Sequence, residues 1–131
     1  MSATARGGFE VTLAPQPAEP GSTLGRLTIE KRYRGDLDGT SRGQMLAFTS
    51  AVKGSAGYVA MEEVRGTLLG RSGTFVLQHR GVITRSVPEL VVTVVPDSGT
   101  GDLAGLAGAM QIIIEGGNHS YLFDYTLPGT P

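Results

Sequence analysis

The sequence predicts an all-β chain folded as a single eight-stranded antiparallel β-barrel, and three observations predict it. Glycine supplies 20 of the 131 residues. It recurs at short intervals between runs of Val, Ile, Leu, Thr and aromatic residues, the pattern of many short strands joined by tight turns. Within most runs apolar and polar residues alternate, the period of a strand with one wet face. No stretch carries a convincing helical period. Eight consecutive strands on short turns can each pair with the next and close, which removes exposed edges. A two-sheet sandwich is the alternative, and it requires a long crossing connection.

Residues 1–6 read as a disordered tail, 7–128 as the barrel domain and 129–131 as a second tail. Phe9, Val11 and Leu13 alternate with Glu10 and Thr12, giving the first strand. Ala14 to Ser22 carries three prolines; proline lacks the amide donor, so this stretch reads as an extended connection outside any ladder. Leu24 to Arg34 is the clearest strand, with Leu27, Ile29, Lys31 and Tyr33 on one face and Arg26, Thr28, Glu30, Arg32 and Arg34 on the other. Gly35 to Gly39 turns the chain. Thr40 to Lys53 follows, apolar on both faces, so its outer face reads as a surface for a second subunit.

Tyr58 to Leu68 and Thr74 to Val82 form a hairpin around Gly70-Arg71-Ser72-Gly73. Alternation puts Tyr58, Ala60, Glu62, Val64 and Leu68 on one face of the first strand. It puts Phe75, Leu77 and His79 on one face of the second. A one-residue bulge would exchange these faces. Glu89 to Val95 is a continuous apolar run, read as a strand covered on both sides. Asp102 to Gly108 reads as an irregular loop with at most one helical turn. Met110 to Glu115 is the next strand, and Gly116-Gly117-Asn118-His119 turns it. Ser120 to Leu127 closes the barrel with Tyr121, Phe123 and Tyr125 on one face.

Composition excludes several classes of function. Cysteine is absent, so disulfides and thiolate metal or redox sites are ruled out. A net charge of −1 leaves no basic field for nucleic acid or an anionic membrane. No apolar run approaches the ~20 residues of a membrane helix, and the N-terminal segment has no apolar signal core, so a cytoplasmic protein is expected. Asp36 and Asp38 lack the downstream ligands of a calcium loop. The two histidines, His79 and His119, sit on different hairpins, and with Glu62 or Glu63 they make a poor metal set, so no metal is expected. The Gly clusters lack the Lys and the helix of a phosphate loop. Ser72 lies in a hairpin turn, away from any nucleophile elbow.

What remains is proton transfer or electrostatic work inside an apolar barrel. Glu62 and His79 are the candidate catalytic residues. A carboxylate on an apolar face has its pKa raised unless a cation or donor meets it. Lys31, Tyr58 and His79 could supply such a partner, and a structural ion pair of Glu62 with Lys31 or Arg65 is the plainer reading. Lys31, Tyr58, Phe75, Leu77, Tyr121 and Tyr125 are the candidate substrate-binding residues. Tyr121 and Tyr125 also read as core aromatics, and His119 as a rim residue.

The segments LGRLTIEKRYRGDLDGTSRGQML, GSAGYVAMEEVRGTLLGRSGTFVLQHRG, VVPDSGTGDLAGLAGAM and GGNHSYLFDYTLP together resemble a small bacterial domain family of unknown function. Its members are similar in fold to allene oxide cyclase and the dirigent proteins. The resemblance spans about Phe9 to Pro128. It implies an antiparallel barrel with an apolar central cavity, commonly in an oligomer, in which an inward polar residue (here Glu62 or His79) polarises a small molecule. The expected function is a cofactor-independent cyclase or isomerase acting on an apolar small molecule. A non-catalytic carrier or sensor of such a molecule, and a structural barrel with a filled interior, are the rivals. The expected partners are an apolar ligand and further copies of the chain.

Overall fold

The computed structural model describes residues 2–128; the expected C-terminal tail at 129–131 lies outside them. The strands are β1 Ser2–Gln16, β2 Gly25–Gly35, β3 Leu37–Thr49, β4 Ala56–Leu68, β5 Arg71–Thr84, β6 Val87–Val94, β7 Ala107–Glu115 and β8 Asn118–Thr126. Each pairs antiparallel with the next, and β8 pairs with β1, closing one eight-stranded barrel. A single 3₁₀ turn at Gly101–Leu103 interrupts the β structure. No helix among the described residues is long and apolar enough to cross a membrane.

Two segments depart from expectation. Ser2 to Arg6, expected as a tail, forms the start of β1 and pairs with Thr126 to Leu122 of β8. Its small residues carry little hydrophobic signal, but closing the barrel requires an eighth seam and they supply it. The ladder also runs through Pro15, which lies opposite Leu27. That is tolerated because β8 pairs with β1 only as far as Phe9, leaving the other edge of β1 open there.

Two-residue turns with positive φ at both positions join several strands: Leu69-Gly70, Arg85-Ser86 and Gly116-Gly117. This hand of turn matches the twist of a hairpin. No bulge intervenes in the β4–β5 register, where Ala60 faces His79 and Glu62 faces Leu77.

The barrel has one closed end and one open end. At the closed end Leu37, Leu68, Leu103, Leu106 and Leu127 are buried. The connection after β6 folds across them: the Thr100 amide donates to the Thr74 carbonyl at 2.8 Å, and the Val76 amide to Ser98 Oγ at 3.0 Å. Gly73 permits the approach, since a Cβ there would stand 2.0 Å from the Thr100 carbonyl oxygen. Above this plug lie the aromatics, with Phe75 and Phe123 stacked at 5.9 Å and Tyr33 edge-on to Tyr121 at 5.7 Å.

Tyr121 fastens this half to the β2–β3 turn. Its hydroxyl accepts from the buried Leu37 amide at 2.9 Å and donates to the Arg34 carbonyl at 2.9 Å. Tyr121→Phe strands that amide, so we expect a loss of about 1–3 kcal/mol in a urea unfolding series.

Towards the other end the inward side chains emerge into solvent: Leu13 is 48%, Leu90 41%, Ile83 43% and Ile114 65% exposed. The outer wall of β3 and β4 is also apolar, with Leu46, Phe48, Val59 and Met61 exposed. The Glu89 to Val95 run is covered on one side only. Val92 and Val94 are buried and Val91 faces outward to solvent, whereas Leu90, on the inward face, is exposed where the β6 edge diverges from β7.

Candidate functional site

A charged cluster sits between the closed end and the open mouth. Lys31 comes from β2, Ser41 from β3, Glu62 from β4 and His79 from β5. All occupy inward positions fixed by the two-residue period of their strands. Glu62 is fully buried, and Lys31 and His79 are 8% and 4% exposed. Gly43 makes the room: it lies opposite Glu62, and a Cβ there would meet the Glu62 Cα at 2.9 Å.

Glu62 is the hub. Its Oε1 accepts from Lys31 Nζ at 3.0 Å and contacts His79 Nε2 at 2.8 Å. Its Oε2 accepts from the Tyr33 hydroxyl. Lys31 Nζ also contacts Tyr33 Oη at 3.4 Å and lies 4.8 Å from the centre of the Phe9 ring, a cation–π contact. Burial alone would push the Glu62 pKa up. The His79 hydrogen bond, the Lys31 charge and the Ser41 and Tyr33 hydroxyls outweigh it and hold the group at about 2. Ser41 Oγ favours the carboxylate from nearby without reaching hydrogen-bond geometry; it is buried and has no partner among the described residues.

The plainer sequence reading of Glu62, an ion pair, therefore holds with Lys31 as the partner; Arg65 is exposed on the outer wall. Tyr33 is held well above the ordinary phenol value by burial and then by the Glu62 charge. It remains a hydrogen-bond donor at physiological pH.

An ionised carboxylate can only accept hydrogen bonds, so its contact with His79 places a proton on Nε2. A neutral imidazole in that tautomer keeps its lone pair on Nδ1, and Nδ1 has no partner among the described residues. Lys31 Nζ has three donors and two oxygen neighbours. Tyr58, half-buried one inward position nearer the mouth than Ala60, has no hydrogen bond to its hydroxyl among the described residues. Burial, and then the Glu62 charge, raise its pKa.

Its ring lies over Gly81, where a Cβ would come within 2.3 Å of the Tyr58 ring. Gly81→Ala should swing the ring outward. The expected result is a Tyr58 titration moved down towards the ordinary phenol range, followed by ultraviolet absorbance against a Tyr58→Phe control.

The other sequence candidates lie elsewhere. Phe75, Leu77, Tyr121 and Tyr125 are buried in the aromatic core towards the closed end, and the Tyr121 hydroxyl is committed to backbone. His119 packs on the far side of Phe9 at 5.3 Å. Asp36 accepts from the Arg6 amide and Asp38 pairs with Arg32. No group of three or more His, Cys, Asp or Glu that could hold a metal converges among the described residues. Tyr33 and Ser41 were missed as cluster members, although Tyr33 shares the inward face of Lys31 and Ser41 the parity of Met45 and Ala47. A groove of about 700 Å³ along β2 to β5 is lined by outward side chains such as Arg26, Gln44, Val59 and Gln78. It does not include the cluster, so we take the barrel mouth, where the unfilled polar groups are, as the candidate site.

Comparison with known proteins agrees with this architecture. A family model described as "Protein of unknown function (DUF3224)" matches residues 5–125. A crystal structure of a DUF3224 protein of unknown function from Shewanella oneidensis MR-1 is similar, with 44% sequence identity and a TM-score of 0.92. The match covers 99% of this chain and 100% of that one. A search of curated proteins finds no match. With a family model spanning nearly the whole barrel and a close structural relative from the same family, the chain belongs to the DUF3224 family.

Proposed function

We propose that the protein is a cofactor-independent isomerase that moves a proton on a small, mainly apolar carbonyl compound held in the barrel mouth. One observation carries the reading: Glu62 fixes His79 through Nε2 and leaves Nδ1 without a partner among the described residues. Nδ1 takes a proton from the carbon next to the carbonyl, and the electron pair moves onto the carbonyl oxygen. The Lys31 ammonium and the Tyr58 hydroxyl donate to that oxygen as it gains charge. In a compound with a carbon–carbon double bond beside the deprotonated carbon, the imidazolium, stabilised by Glu62, then returns the proton to the far carbon of the delocalised system and the double bond shifts. Glu62 touches no substrate in this scheme; it is a positioning residue.

The test is hydrogen exchange. A methyl ketone such as 2-octanone, incubated with the protein in D₂O, should gain deuterium beside the carbonyl faster than in buffer, as followed by proton NMR. Binding without exchange would contradict the isomerase and favour a carrier, the second reading. That reading has its own support in the Glu62 carboxylate, already bonded to Lys31, Tyr33 and His79 and holding no proton to give.

A further inference from the structure

Seven seams of the barrel wall carry long ladders, and the eighth is nearly unmade. β6 and β7 share a single register pair, Thr93 with Ala109. On its other side β6 pairs with β5 from Thr93 up to Val87, and β7 pairs with β8 up to Glu115. Above the Thr93 rung the two strands thus keep their outer partners and lose each other. About six residues of each edge are left, a slit of roughly 20 Å at the rise of an extended strand.

The slit has an apolar lining and a defined floor. Leu90 stands at an inward position on one edge, and Ile112 and Ile114 on the other. Leu90 and Ile114 are largely exposed, while Val92 and Met110 are buried and close the bottom. Val92 is the cross-strand neighbour of His79, so the slit ends beside the imidazole of the cluster. Exposed aliphatic side chains along an open seam are a cost to a monomer in water unless something covers them. Here they are continuous with a set of unfilled polar groups.

We propose that this seam is a binding site for an unbranched alkyl chain, and that it extends the candidate site so that the substrate class is a straight-chain aliphatic carbonyl compound. The inference rests on the placement of the carbonyl at the cluster. The chain lies along the slit between Leu90 and Ile112/Ile114, with its carbonyl end at Val92 and His79 and its far end in the open mouth. A seam about 20 Å long with aliphatic residues on both edges matches the length and chemistry of an extended alkyl tail.

Two ligand series separate this claim from the proposed reaction. Binding of 2-alkanones from 2-butanone to 2-decanone, and of matching n-alkanols, is followed by NMR titration. If the chain occupies the seam, affinity in both series rises roughly fourfold for each added methylene that is buried. Leu90→Asp and Ile114→Asp change exposed positions, so the urea midpoint should stay near that of the wild type. They should abolish the dependence on length and leave 2-butanone binding unchanged. Affinity that does not rise with length in the wild type, or a rise that persists in both variants, overturns the seam site. If the alkanols show the dependence and both variants abolish it, the seam stands even when ketones fail to exchange deuterium, and only the reaction falls. Ketone exchange with no dependence on length leaves the reaction standing and removes the seam.

Discussion

Glu62→Leu is expected to cost about 3–5 kcal/mol of folding stability, because it leaves the Lys31 ammonium buried without its counter-charge. The measurement is a urea unfolding series, and the wild-type chain suits it, being small and free of cysteine. Leucine nearly preserves the side-chain volume, so the loss reports the missing charge and the stranded Tyr33 and His79 donors more than a cavity. The double variant Lys31→Met/Glu62→Leu should recover part of the loss, since an apolar pair is a tolerable replacement for a buried ion pair. The same carboxylate gives the barrel a pH dependence of definite sign. Its folded pKa of about 2 lies below the ordinary 4.5. Its stabilisation is therefore complete above about pH 4.5 and is lost as the pH falls towards 2. The amount is about 3 kcal/mol at 1.36 kcal/mol per unit. Wild-type stability should fall across that window, and Glu62→Gln should flatten this part of the profile.

His79→Gln is expected to lower ketone deuterium exchange by about 10²- to 10⁴-fold, the usual worth of a positioned general base. Glutamine can keep a donor towards Glu62 and therefore the fold, but it offers no basic nitrogen. Binding of 2-octanone, measured separately, should change little. Glu62→Gln provides the sharper comparison. Its amide can donate to Nε2, removing the constraint that keeps the lone pair on Nδ1. Exchange should fall although residue 62 never meets the ketone, and the pH–rate profile should move with it. A purely structural Glu62 would leave that profile in place in whatever fraction of the variant is folded.

The inward face of each strand was legible because the period of a strand is two and no bulge disturbs the central hairpin. Lys31, Glu62 and His79 each stood out as a polar group on an apolar face, and they converge. Sequence could not say that Glu62 would be ionised rather than protonated. That depends on Lys31 and Tyr33 of β2 and His79 of β5 reaching one carboxylate on β4, which is a matter of register across the sheet. Ser2 to Arg6 carried too little apolar pattern to announce a strand. The Arg85-Ser86 turn has no glycine to mark its positive φ values. The Glu89 to Val95 run looked like a fully covered strand, yet Val91 faces solvent on the outer wall and Leu90 lies exposed along an edge that β7 leaves unpaired. Composition cannot distinguish a strand buried on both faces from an apolar strand at an open edge.

The central claim is that Glu62 holds His79 as the Nε2-protonated tautomer with a free Nδ1. Long-range proton–nitrogen correlation NMR on ¹⁵N-histidine-labelled protein reads this directly, with His79→Gln assigning the signals. In its neutral form His79 should show a protonated Nε2 and an unprotonated Nδ1. A neutral ring with the proton on Nδ1 and Nε2 bare would contradict it.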